Sequence, residues 1–215
     1  MKEMISLHSP GFDALLFWAY DFLAAFLPFL AFFCFRIRKQ ENRPSPFSRV
    51  SVLVFVFYII ALYHFTGAGT LYDGMRYRFS LPDQLNLIPF SNTIDPVGYL
   101  LNVVLFLPLG LLVPLLWDRM GQFRSVLGSG AALSLFIELT QILNNRATDV
   151  DDLIMNLIGT AAGFIVYKVF DRRTESRFQR RDIPLSMLAA SILLPYLGRF
   201  FLYHDMGLAK LLYGF

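Results

Sequence analysis

Asp149, Asp152, Asn156, Gly159 and Gly163 follow one another at spacings of three, four, three and four, so all five fall on one face of a single helix. Two carboxylates and an amide on one face have a defined chemistry. They accept hydrogen bonds from a polar ligand, hold a hard cation through oxygen, or exchange a proton as general acid and base. The Gly-x-x-x-Gly half serves a different purpose, because small residues let a second helix backbone approach closely. The preceding apolar segment repeats the design, with Gly130, Ser134, Glu138 and Gln141 at spacings of four, four and three. Arg146 stands just past the end of that segment and is the natural partner of Glu138. Further upstream, Asn102 and Asn86 add two more amides. Asp151 points elsewhere on the helical wheel, and Asp149 and Asp152 would also favour the positive N-terminus of their own helix.

The elements that hold these residues are written for lipid. Of 215 residues 56% are hydrophobic and 16% charged, 23 are Phe, and the mean hydropathy is +0.52, which defines an integral membrane protein. Crossing a hydrocarbon core of about 30 Å takes roughly 20 apolar residues. Runs approaching that length lie near 12–35, 50–66, 98–117, 125–143, 153–170 and 183–202. The expected fold is therefore all-α, a polytopic bundle of about six transmembrane helices. Pro108 and Pro114 interrupt the third run, which is tolerated where neighbours satisfy the freed carbonyls. Three regions are expected: 1–79 with two spans and an outer loop, 80–170 as the core, and 171–215 with a basic loop, the sixth span and a short tail.

Short loops rich in Lys and Arg stay in the cytoplasm. Arg36, Arg38, Lys39, Arg43 and Arg49 separate the first two spans, Arg119 and Arg124 the third and fourth, and Arg172, Arg173, Arg177, Arg180 and Arg181 the fifth and sixth. With Lys168, thirteen of the nineteen positive residues then lie inside, which sends both termini and the loops 67–97 and 144–152 outward. The basic clusters set topology and touch anionic headgroups; with a net charge of only +3, they do not indicate nucleic acid. Asp13 and Asp21 on the first span and Arg199 on the sixth are further intramembrane charges, and Asp21 is a candidate partner for Arg199.

Several chemistries lack their signatures. One cysteine, Cys34, forms no internal disulfide, and no His or Cys spacing resembles a zinc or haem site. His8, His64 and His204 read as packed or interfacial residues. No phosphate-cradling loop or serine nucleophile elbow is present, and neither metal nor other cofactor is expected. A cleavable signal peptide is not expected either, since the first apolar run is too long.

Depth unites the polar residues. About nine residues join the fourth and fifth spans, making them antiparallel neighbours. Glu138 then sits about 7–8 Å inside its helix end at a 1.5 Å rise per residue. Asn156 and Asn102 reach a similar depth from two other helices. Pro82-Asp-Gln-Leu-Asn-Leu-Ile-Pro-Phe90 precedes the third span, and the residue before each proline favours extended backbone. Asn86, Pro89 and Phe90 of this stiff loop are expected to cover the polar cluster, while Tyr72, Tyr77, Phe79 and Tyr99 suit an aromatic belt.

Four collinear motifs, Asn86-Leu-Ile-Pro-Phe90, Asn102-Val-Val-Leu-Phe-Leu-Pro-Leu-Gly110, Ser134-Leu-Phe-Ile-Glu-Leu-Thr-Gln141 and Arg146-x-x-Asp-x-Asp-Asp-x-x-x-Asn-x-x-Gly-x-x-x-Gly163, resemble the VanZ-like family over residues 80–170. The resemblance implies a multi-pass protein of the bacterial cytoplasmic membrane, in a family named for a member associated with resistance to the glycopeptide teicoplanin. It brings no established catalytic mechanism with it. Three readings stay open. Asn86, Asn102, Glu138, Gln141, Arg146, Asp149, Asp152 and Asn156 would bind the polar head of an amphipathic molecule at the outer leaflet: a membrane lipid, a lipid-linked cell-wall precursor or a lipoglycopeptide. In the second, Glu138, Asp149 and Asp152 would serve a membrane-embedded enzyme acting on such an intermediate. The third is a transporter or flippase, which the absence of an inverted repeat and the one-sided position of the cluster disfavour.

Overall fold

The computed structural model describes residues 10–39, 45–76, 85–91, 95–146, 148–173 and 183–213. Six helices long and apolar enough to cross a membrane account for most of these residues, one for each run expected from the sequence. The chain folds as a polytopic, all-α membrane protein. In order they are α1 (Pro10–Lys39), α2 (Pro46–Thr66), a short α3 (Leu71–Arg76), α4 (Pro96–Leu116), α5 (Phe123–Gln141), α6 (Val150–Arg173), α7 (Leu185–Leu202) and a short α8 (Asp205–Tyr213). Two two-residue strands, β1 (Leu85–Asn86) and β2 (Thr148–Asp149), pair in parallel with Asn86 opposite Asp149.

Local signals start and stop the spans that position the polar cluster. Ser45 caps α2 by accepting from the Ser48 N–H at 3.1 Å, with Pro46 in the first turn, where its missing N–H costs nothing. Gly67 ends α2 at φ +67°, a left-handed conformation suited to glycine. Asp95 and Pro96 repeat the start signal at α4, the carboxylate accepting from the Val97 N–H at 3.1 Å. Tyr58 of α2 ties that helix to α4 by donating to the Leu105 carbonyl at 2.8 Å, in the turn before Pro108.

Lipid tails are as apolar as leucine, so close packing and polar pairs must hold the helices together. The tightest seam joins α4 to α6. A Cβ on Gly159 would strike the Val103 carbonyl, one on Gly163 the Leu107 carbonyl, and one on Gly110 the Thr160 carbonyl. The residue numbers rise together along the two helices, so they run parallel. The Gly-x-x-x-Gly stripe therefore meets the third span, not the hairpin partner α5. Gly130 of α5 instead lies against Thr160, where an added Cβ would come within 2.5 Å of Oγ1. At the other flank Gly198 of α7 packs on Ala24 and Pro28 of α1. Phe55, Ile59, Tyr63, Phe106, Leu109 and Trp117 fill the centre, with Trp117 set edge-on to Phe55 at 5.0 Å.

Candidate functional site

At one end of the bundle the C-termini of α2, α5 and α7 meet the N-termini of α4 and α6, and β1 crosses beside them. The first N–H groups of a helix have no partner within it. For α6 the sequence supplies partners from two places. Asp149 accepts from the Asp151 N–H at 3.0 Å, as an N-cap does, and its own N–H donates to Oε2 of Glu138 at 3.3 Å. Glu138 is only 3% exposed, so a membrane-embedded carboxylate is spent on the entrance of the next helix.

The other carboxylates are gripped from α4 and the β1 loop. Asn86 donates its amide to both oxygens of Asp149 at 3.2 and 3.1 Å, which the register of the two strands makes possible. Asn102 donates to Asp152 at 2.5 Å. Asp151 is buried at 1% exposure and accepts from the Phe90 N–H at 2.9 Å and the Tyr99 hydroxyl at 2.6 Å. Phe90 adopts φ +55° to present that N–H, a conformation uncommon for a bulky residue and often found near functional sites. Deeper along α6, Asn156 donates to Ser134 of α5 at 2.9 Å, while its Oδ1 is buried with no partner among the described residues.

The remaining candidates turn toward α2. Gln141 Nε2 donates to the Thr66 carbonyl at 2.6 Å, Arg146 Nη1 to the same oxygen at 2.9 Å, and Asn144 to the Gly67 carbonyl at 2.6 Å. Arg146 thus caps the C-terminus of α2 and does not pair with Glu138 as the sequence suggests. Carbonyl oxygens at a helix end attract a cation through the dipole as well as the hydrogen bond, and no side-chain pattern advertises them.

The eight sequence candidates divide accordingly. Asn86, Asn102, Glu138, Asp149 and Asp152 form one network around the start of α6, Asn156 lies below it against α5, and Gln141 and Arg146 stand beside it on α2. The single stripe read along α6 splits: Asp152, Gly159 and Gly163 face α4, while Asn156 and Thr160 face α5. Two further members lie outside those eight. Asp151 points away from the Asp149–Asp152 face on the helical wheel, yet the β1 loop supplies the Phe90 N–H and α4 the Tyr99 hydroxyl on that side. Tyr99 anchors Asp151 and is more than a belt residue; its place one turn before Asn102 is the signal that was available. Tyr72 stacks on His204 at 3.8 Å, and Tyr77, Phe79 and Pro82–Gln84 lie outside the described residues.

The molecule is thus a helical membrane protein whose polar groups gather at one end of a tightly seamed α4–α5–α6 core. Residues 50–171 match the VanZ/LLP1 family model, and the chain belongs to that family. It is 32% identical to Protein VanZ of Enterococcus faecium over 117 residues, covering 52% of this chain and 70% of that protein. No solved structure matches the chain.

Proposed function

We propose that the polar end of α4, α5 and α6 is a recognition site at the outer leaflet of the bacterial cytoplasmic membrane, binding the head of an amphipathic envelope molecule whose apolar part lies along the helices. One observation carries the reading. Four carboxylates, Glu138, Asp149, Asp151 and Asp152, converge at the start of α6, and the guanidinium of Arg146 donates to the Thr66 carbonyl. Among the described residues their partners include neutral amides, a hydroxyl and backbone N–H groups. Such a cluster favours a head rich in hydrogen-bond donors or carrying an amine, because like charges held together in a poorly solvated site gain most from donated protons.

The charge pattern supports this orientation. Arg36, Arg38 and Lys39 end α1, and Arg119 and Arg124 lie where α4 gives way to α5, so cytoplasmic placement of these ends and extracytoplasmic termini accord with the excess of positive charge. Lipid-linked cell-wall precursors and lipoglycopeptides such as teicoplanin combine a donor-rich head with a long apolar tail, and the kinship with Protein VanZ supports testing them first.

The test is binding of a lipid-linked precursor and of teicoplanin to purified protein in nanodiscs, with wild type, Glu138→Gln and Asp152→Asn side by side. Loss of at least tenfold in affinity in both variants, with intact gel-filtration profiles, is the expected result. Unchanged affinity would end the proposal, and variants that fail to accumulate would favour a purely structural clasp. Turnover of the precursor by wild type would move the protein to the enzyme class.

A further inference from the structure

A second polar group lies where α1, α2 and α7 meet, away from the α6 carboxylates. Asp21, 3% exposed, accepts from Arg199 Nε at 2.8 Å through one oxygen and from His64 Nδ1 at 2.7 Å through the other. Arg199 also donates to the Ala68 carbonyl, and its guanidinium carbon stands 5.5 Å from the centre of the Tyr203 ring. Arg199 and Asp21 cancel each other's charge, so the imidazole is not needed as a counter-ion. An ionised carboxylate only accepts, which places the proton of a neutral His64 on Nδ1 and leaves a lone pair on Nε2.

Nε2 has no hydrogen-bond partner among the described residues. The ring lines a cavity of about 230 Å³ whose other walls are Asp21 and the apolar Trp18, Phe22, Phe57, Ile60, Ala61 and Phe65. Trp18, Phe57 and Phe65 are 57%, 47% and 60% exposed on helices that span the membrane, so the cavity opens to acyl chains. We propose that it binds a membrane amphiphile through a neutral hydroxyl head, the O–H donating to His64 Nε2 and the hydrocarbon lying between Trp18, Phe22 and Phe57. A bare alkyl chain would leave the acceptor unpaired in apolar surroundings. An anionic head would approach the Asp21 carboxylate, and an ammonium would shed its water into a group of zero net charge. A hydroxyl satisfies the acceptor with the smallest desolvation cost. This inference does not depend on the carboxylate site.

Trp18 in the wall provides the readout. Purified protein in nanodiscs is titrated with a bromo-alkanol and with the bromo-alkane of equal length while tryptophan quenching is followed; Trp18→Phe gives the contribution of Trp117, the other of the two tryptophans, which is 1% exposed. Saturable quenching about fivefold tighter for the alcohol is expected, the ratio that one net hydrogen bond supports. His64→Phe should abolish that preference, and Ala61→Phe, which fills the cavity and leaves the Asp21–His64–Arg199 group intact, should abolish the saturable component. Equal quenching by alcohol and alkane in wild type, which needs no variant, overturns the proposal. So does a preference that survives His64→Phe, or tighter binding of a brominated anionic amphiphile.

Discussion

Asp151 offers the sharpest quantitative test of how the β1 loop is fastened over α6. Its two oxygens receive the Tyr99 hydroxyl at 2.6 Å and the Phe90 N–H at 2.9 Å, and the side chain is buried. Hydrogen bonds to a charged group are worth about 1.5–3 kcal/mol each, so Asp151→Ala should cost roughly 3–6 kcal/mol. Asp151→Asn is a gentler change. The amide oxygen still accepts from Phe90, and the tyrosine hydroxyl can rotate to accept from the amide nitrogen, so only charge assistance is lost, about 1 kcal/mol. Tyr99→Phe removes one bond and should fall between, at about 1.5–3 kcal/mol. Unfolding in mixed micelles, followed by tryptophan fluorescence, gives the three values, and limited proteolysis within residues 85–91 reports release of the β1 loop. In the double mutant Asp151→Ala/Tyr99→Phe the costs should fall short of additivity by the shared bond, about 1.5–3 kcal/mol. Strict additivity, or an alanine no worse than the asparagine, would refute this account of the clasp.

Gly163→Val would drive a side chain into the Leu107 carbonyl at the α4–α6 seam, and should cost about 2 kcal/mol or more and lower the amount of folded protein in the membrane, read by gel filtration. Gly67→Ala places a Cβ 2.7 Å from Arg146 Nη1 at φ +67°; a loss of about 1–2 kcal/mol from the backbone alone is expected in the same unfolding assay. Arg199→Leu leaves Asp21 buried without its guanidinium and should destabilise by about 3–5 kcal/mol, whereas the pair Asp21→Leu/Arg199→Met should recover much of that loss. A double mutant as unstable as the single would show that the pair contributes more than charge balance.

The six spans were legible because hydrocarbon imposes a length and a hydropathy that few sequences satisfy by accident; each apolar run became one helix. The Asp21–Arg199 pair was legible for a related reason, since two buried charges of opposite sign on different spans stabilise each other best together. Helical spacing put Asp149 and Asp152 on one face, and depth along its span put Asn102 at the level where it meets Asp152. It failed for Asp151, whose burial comes from a loop more than fifty residues away in sequence, and for Arg146, whose partner is a backbone carbonyl.

A polytopic helical membrane protein, a small-residue seam, and polar residues set at the ends of three spans could all be read from the chain alone. All of these are properties of single helices with a fixed period in a solvent of fixed thickness. Which surfaces meet emerged from the packed helices: Gly159 and Gly163 on α4, Asn86 in register with Asp149, and Gln141, Asn144 and Arg146 on the Thr66 and Gly67 carbonyls. Pairing between elements depends on their relative rotation and on backbone groups common to every residue, and neither is written in the pattern of side chains.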